Sequence, residues 1–292
     1  MKAMNEYTSP ILITGASGNI GKHVVSGLDT LGVAYRVASR GNLGHCNFRF
    51  LDMNKPYSYD DALKGSKSLF LLRPSAISNT KKTLNVLIDK AYANGVEHIV
   101  FVSVHGAENN SFVPHHAVER QLIQSGHSYT ILRPGFFSQN LESAYRVDIL
   151  EDSSLYLPSG DGKINFIDAR DIAEVAIQAL INPEQHSRKA YTLAGEEALT
   201  FYEVAKFLSE ELGRPINYTE ASVVGYFFHV IKQGHPVMKA LVQTFLHTGI
   251  RSGQANILDL TASELLGRRT VPLRDYIHDN REKWIINEGR VD

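Results

Sequence analysis

The residues best suited to chemistry stand near the start of the chain. Thr14-Gly15-Ala16-Ser17-Gly18-Asn19-Ile20-Gly21 is a Gly-x-x-Gly-x-x-Gly run. It follows the apolar, β-branched run Ile11–Thr14, and it precedes Ile20, Val24, Val25 and Leu28 at helical spacing. A strand, a glycine loop and a helix in that order form a phosphate cradle. Gly15 permits the tight turn, Gly18 admits backbone amides to a pyrophosphate, and Gly21 is expected to let the helix pack closely on the sheet. The helix N-terminus adds unpaired N–H groups and a positive dipole.

Nucleotide choice is set at the end of the second strand. A site for NAD usually carries an acid about 20 residues past the loop, to hold the ribose hydroxyls. Ser39-Arg40-Gly41-Asn42 stands there instead. Arg40 is a planar cation suited to a phosphate. The expected cofactor is NADP(H), preferred over NAD(H).

The elements that must position these residues alternate. Tyr35–Ala38, Leu69–Leu72, Ile99–Val104 and Tyr129–Leu132 have the strand pattern. Leu84, Leu87, Ile88 and Ala91 form a helix stripe that ends at Asn94-Gly95. A second helix is expected over Pro114–Gln124. The alternation predicts an α/β fold, a Rossmann-type doubly wound parallel sheet. A smaller, mainly helical C-terminal region would cover the substrate. The expected domains are 1–150 and 151–292, with segments free to cross between them. Past the first half, Leu155–Gly162 has loop composition and Asp171 is placed as a helix N-cap. Tyr191–Leu193 has a strand pattern, and Thr200 opens a helix to Leu212. Ser222 to Trp284 is mostly helical.

Composition narrows the function classes. The 292 residues suffice for about two domains. Thirty basic residues nearly cancel 31 acidic ones, so no field draws the chain to nucleic acid or an anionic membrane. One cysteine, Cys46, excludes an internal disulfide and suits a reducing compartment. Met1–Ser9 lacks an apolar signal core. These features predict a cytoplasmic protein with no membrane partner and no direct nucleic-acid partner. The 12 histidines form no His-Glu-x-x-His or Cys/His cluster, so no metal is expected. Gly-x-Ser-x-Gly is absent.

Taken together, several segments resemble the short-chain dehydrogenase/reductase superfamily. They are closest to its atypical NmrA-like branch, which includes triphenylmethane reductase and NADPH-dependent quinone oxidoreductase. The segments are Ile13–Gly21, Gly95–Val100, His115-His116-Ala117-Val118-Glu119, Tyr129–Gly135 and Asn165–Ala173. They run in order along about residues 10–285. The resemblance implies a cofactor at the C-terminal edge of the sheet. It implies adenine and ribose contacts near Ser39, Arg40 and Asp52. It further implies contacts at Leu72, Arg73 and Ser103, with the nicotinamide near Pro134–Phe137.

Ordinary members of that superfamily use Tyr-x-x-x-Lys as a proton-moving pair. Ser111 and His115 occupy the corresponding places here. Tyr202–Lys206 has the spacing but lies on a different helix and is assigned no role. The departure argues against epimerase and ordinary alcohol dehydrogenase chemistry. Hydride transfer to an electron-poor acceptor needs less from the protein, because the cofactor carries the chemistry. The expected partner is therefore a small-molecule acceptor, such as a quinone or dye.

His115 is the candidate catalytic group, to orient the nicotinamide or donate a proton near neutral pH. Glu119, four residues on, shares its helix face, as in the His-x-x-x-Glu of the reductases it resembles. Phe136 and Phe137 could face a flat acceptor or pack in a core. Tyr226, Phe227 and Phe228 could roof a cleft or pack. The rival reading is a catalytically silent NADP(H)-binding regulator with a protein partner. It would show an exposed apolar patch separate from the cofactor site.

Overall fold

The structure is a computed structural model that describes residues 10–42 and 44–285. The expectation about Met1–Ser9 lies outside the described residues. The chain divides into two compact units. The first comprises residues 1–134, 169–193 and 264–267, and the second 135–168, 194–263 and 268–292. The expected boundary at 150 thus falls at Pro134, and a segment after the boundary returns to complete the first unit.

That unit is built on strands β1 (Ile11–Thr14), β2 (Tyr35–Ser39), β3 (Phe48–Phe50), β4 (Ser68–Leu72), β5 (His98–Val102), β6 (Ser128–Pro134) and β10 (Lys189–Leu193). They form one sheet in the order β10-β6-β5-β4-β1-β2-β3, parallel throughout. The order reverses beside β1, which pairs β2 on one side and β4 on the other. β3 is a short edge strand that the sequence pattern did not show.

Both faces of the sheet are covered, which explains the unbroken apolar runs. Leu12, Leu69, Leu71, Ile99, Phe101 and Ile131 belong to one core cluster. Its helical members come from α2 (Tyr59–Leu63), α3 (Leu84–Ala93) and α4 (Pro114–Gln124). Alternate strand positions such as Ile13, Phe70, Val100 and Leu132 are buried outside that cluster. Helices α1 (Gly21–Leu31) and α6 (Ala169–Ile181) pack on each other, and α6 packs on β4, β5 and β6. α1 buries Val24, Val25 and Leu28, as the spacing predicts, and stops at Gly32 with φ +65°. α6 starts at Ala169, so Asp171 lies in its first turn and is not the N-cap. There a carboxylate still favours the helix dipole.

The second unit is mixed α/β. β7 (Phe136–Phe137) and β11 (Ala198–Leu199) flank β9 (Ile164–Ile167), and β8 (Ser154–Leu157) pairs with β12 (Asn217–Glu220). β8 corrects the expected loop over Leu155–Gly162. Leu155 and Leu157 alternate inward with period two, and the glycines and Pro158 that suggested a loop come after them. α8 (Phe201–Leu212) carries a full capping box between Thr200 and Glu203. α9 (Val223–Lys232) and α10 (Val237–Arg251) follow. Trp284 is fully buried and its indole N–H donates to the Leu141 carbonyl at 3.1 Å.

The α1–α6 contact depends on one missing side chain. A Cβ on Gly27 would stand 2.4 Å from Ile177 Cδ1. Gly27→Ala gains about 1 kcal/mol of helix propensity but forces Ile177 to move, at about 1–3 kcal/mol. A net loss of stability is expected in the natural background. In an Ile177→Val background, which lacks that atom, the same change should stabilise. Urea denaturation of the four proteins of this cycle measures the coupling.

Candidate functional site

The glycine loop occupies the C-terminal edge of the sheet, at the place where the strand order reverses. Ligands of open α/β sheets bind at this switch point. Gly15 has φ +67°, a conformation that disfavours a side chain, and a Cβ there would meet Leu72 Cδ1 at 2.7 Å. The Gly15 carbonyl accepts the Gly18 N–H at 2.9 Å. A Cβ on Gly21 would lie 2.0 Å from that same carbonyl oxygen and 2.9 Å from Ala16 Cα. The third glycine is therefore required by the loop folding back on the helix. The close approach that demands it is that of α1 to the chain leaving the end of β1. Gly15, Ser17, Gly18 and Asn19 are exposed, whereas Ala16 and Ile20 are buried. α1 has no side-chain N-cap; the Lys22 and His23 N–H groups go to the Gly18 and Ile20 carbonyls at 3.1 and 3.0 Å, and no side chain covers the positive end of the helix dipole. These features fit a pyrophosphate.

The Thr14 hydroxyl joins the two strands at the switch point. It donates to the Phe70 carbonyl at 3.0 Å and accepts the Leu72 N–H at 2.9 Å. The next residue past this clamp is Arg73. Its Nε donates to His115 Nε2 at 3.2 Å, and its Nη1 donates to the carbonyls of Pro74, Ser75 and Ile77 at 3.1, 3.4 and 2.6 Å. Because His115 Nε2 accepts, the ring proton sits on Nδ1, which is buried with no partner among the described residues. Burial, reinforced by the neighbouring Arg73 charge, pushes the His115 pKa down to about 4. The imidazole is neutral near neutral pH, which corrects the expectation of a near-neutral proton donor. Its neighbour His116 is tied to the Ala107 carbonyl at 2.8 Å.

Glu119 does not pair with His115, although both lie on α4. Its carboxylate is buried and takes a fork from Arg133, at 3.1 Å from Nε and 2.6 Å from Nη2. The Ser103 hydroxyl donates to it at 2.5 Å, and Glu108 lies 3.3 Å from Arg133 Nε. This network ties the ends of β5 and β6 to α4. The Ser103 side chain is thereby engaged inside the protein, which leaves the residue's backbone for any ligand. Arg133 belongs to the segment Tyr129–Gly135, where residue type alone implies no role for it. Its signal was its place at a strand end, level with a buried acid that needed a partner.

The remaining expected cofactor contacts lie at this edge or on loops leaving it. Arg40 is exposed just past β2. The Ser39 hydroxyl donates to the Gly41 carbonyl at 2.5 Å, which holds the turn that carries Arg40. Asp52 accepts the Asn54 N–H at 3.0 Å and faces Lys55 at 3.8 Å. Pro134 closes β6, and its carbonyl accepts the His105 N–H at 2.9 Å.

Phe136 and Phe137 belong to the second unit and are half-buried. Phe136 packs edge-on against Phe166, at 5.4 Å between centroids, and against His247 at 6.4 Å. His247 is deeply buried, accepts the Tyr145 hydroxyl at 2.6 Å, and is pushed by burial to about 4. Tyr226 packs in this core, whereas Phe228 is exposed. Tyr202 and Lys206 lie on the surface of α8, with Lys206 4.0 Å from Glu210. Among the described residues no group of three potential ligands could hold a metal, and no helix is long and apolar enough to cross a membrane.

The family model of the NmrA-like family matches residues 7–261. The chain belongs to that family. It is 35% identical over 219 residues to an NAD(P)H azoreductase of Xenophilus azovorans, covering 71% of this chain and 76% of that protein. The crystal structure of an NADPH-dependent quinone oxidoreductase from Escherichia coli, complexed with NADPH, superimposes with a TM-score of 0.83. It is 26% identical and covers 92% of this chain and 99% of its own. The triphenylmethane reductase of Citrobacter sp. complexed with NADP(H) has a TM-score of 0.80 at 23% identity, over 92% of this chain and 99% of its own, and supports the fold.

Buried neutral histidines make stability depend on pH. His98, held by Ser128 and Thr130 at 2.7 and 3.1 Å, and His115 are both pushed to about 4, chiefly by burial. Unfolded, each would titrate near 6.5. Between these values the unfolded chain binds more protons, so stability is present above about 6.5 and lost as pH falls towards 4. Urea midpoints measured across that window should drop on acidification, and His98→Gln should flatten the slope. An unchanged slope in the variant would exclude the assignment.

Proposed function

We propose that this protein is an NADPH-dependent reductase that transfers hydride to a small, flat, hydrophobic acceptor such as a quinone or dye. The observation that carries this reading is the glycine loop at the switch point, where no side chain fits at Gly15 or Gly21 and none caps the helix. The named activities of the azoreductase and quinone oxidoreductase relatives support the reaction class. The absence of a Tyr-x-x-x-Lys pair on α4 supports an acceptor that needs no strong protein acid.

A bound nicotinamide cofactor would supply the hydride. The backbone of Gly15, Ala16, Ser17, Gly18, Asn19, Ile20 and Gly21 would hold its pyrophosphate. Arg40 would read the 2′-phosphate, and Asp52 the adenosine side. Leu72, Arg73, Ser103 and Pro134 border the edge where the rest of the cofactor would lie. Phe136 and Phe137 would contribute to the acceptor side. His115, being neutral, would act by holding Arg73 and not by giving up a proton.

One observation favours the regulator as a second reading. α10 exposes Val237, Met238, Leu241, Val242, Phe245 and Leu246, an apolar face wide enough to contact another protein.

Loss of reduced-nicotinamide absorbance with a panel of quinones and dyes tests both readings. Steady turnover with NADPH is expected. Arg40→Ala should raise the KM for NADPH about 10-fold or more, the value of a charge-assisted phosphate bond, and leave that for NADH near its starting value. Tight NADPH binding with no turnover on any acceptor would favour the regulator.

A further inference from the structure

Arg73, just past β4, differs from Arg133 on β6. Arg133 is neutralised, with Glu119 and Glu108 both within 3.3 Å. Arg73 has no carboxylate partner among the described residues. Its four hydrogen bonds all go to neutral acceptors: one imidazole nitrogen and three carbonyl oxygens. These bonds use Nε and Nη1 only. Nη2 takes no acceptor among the described residues, and Arg73 is partly exposed. The guanidinium is thus held rigid, half-buried and uncompensated, with two N–H groups left over. An arginine cannot shed its charge under ordinary conditions, so the site has a standing demand for negative charge.

His115 keeps that demand in place. A carboxylate at this position would cancel the charge, and a protonated imidazole would repel the guanidinium. A neutral imidazole does neither. It accepts from Nε and fixes the plane of the fork. Its own second nitrogen is buried without a partner, a cost that the protein accepts at this point. Unsatisfied or strained groups retained in a fold concentrate at functional sites.

We propose that Arg73 is a catalytic residue whose Nη2 group binds the acceptor oxygen that becomes negative on reduction, with His115 as its positioning residue. This rests on the reductase reading given above. Hydride from the reduced nicotinamide carries two electrons and forms a new bond to the acceptor. The acceptor's π electrons move onto oxygen, giving a phenolate-like anion beside Arg73. The nicotinamide is oxidised, the acceptor is reduced, and the anion then takes one proton from water. A fixed donor aimed at developing charge is the commonest way a protein lowers such a barrier. The same anionic-oxygen chemistry could come from a phosphate of the cofactor, and the experiment separates the two sources.

The decisive comparison is between two acceptor types in wild type and Arg73→Gln. A quinone gains negative charge on oxygen during hydride transfer. A cationic triphenylmethane dye becomes neutral and gains none. Arg73→Gln should lower the ratio of quinone to dye turnover about 100-fold, the scale of losing one oxyanion donor. If Arg73 serves a cofactor phosphate, both rates fall together, the Kd for NADPH rises, and the ratio stays constant; that result overturns the proposal. A readout without turnover is the absorbance of 4-nitrophenol bound to the NADP-loaded protein. Wild type should bind the yellow phenolate in preference to the phenol, lowering its apparent pKa by about one unit, a tenfold preference. Arg73→Gln should abolish that shift, and Arg73→Lys should restore part of it. Failure of wild type to bind the phenolate would also overturn the proposal. If wild type reduces no acceptor of either type, the reductase reading itself fails, which the constant-ratio result leaves standing.

Discussion

The ligand edge is organised around a single backbone oxygen, the Gly15 carbonyl. It closes the loop by accepting from Gly18 and leaves only 2.0 Å to where a Cβ on Gly21 would stand. A side chain at Gly21 would push α1 away from the end of β1. A side chain at Gly15 would strike Leu72 and displace the end of β4. Thr14 then ties those strand ends with two hydrogen bonds through one hydroxyl. The loop, the helix end and the start of the Arg73 segment are therefore one mechanical unit. An error of even one methyl group in the loop would be transmitted to the residue that carries the charge.

Much of this was legible in the sequence. The loop, α1, the α3 stripe and the central strands follow from apolar periodicity and glycine placement, because local geometry decides them. The Thr200 helix start was legible for the same reason, since its capping box is closed within four residues. What is not legible there depends on distant partners. Phe48–Phe50 is only three residues long and becomes a strand by pairing with β2. Ser154–Leu157 is a strand because β12 lies beside it, more than sixty residues further on. Asp171 has the residue type of a cap but sits inside its helix, which begins two residues earlier. The unit boundary is not legible locally because β10 returns to the first sheet beside β6, a pairing that no local pattern specifies.

The side-chain assignments show the same division. Helical spacing placed His115 and Glu119 on one face, and that is correct. Spacing could not tell that β6 would bring Arg133 to Glu119 or that β4 would bring Arg73 to His115. Both partners arrive from strand ends, and strand order is a global property. The consequence is chemical. Of two arginines at the ends of β6 and β4, one is compensated by carboxylates and the other is held by neutral groups. Residue type alone gives both the same charge; only the partners decide which of them is a structural tie.

A histidine where the superfamily pattern carries a lysine also changes meaning under this geometry. A lysine in a proton-moving pair works by its charge. His115 works by lacking one, because burial beside Arg73 keeps its ring neutral. The positive charge beside His115 stands at the end of β4, on Arg73. It is a guanidinium, which is planar, permanently charged and a donor in fixed directions. Such a group is poorly suited to exchanging protons and well suited to receiving negative charge. That difference fits a chemistry in which the protein stabilises an anion and leaves the proton to solvent.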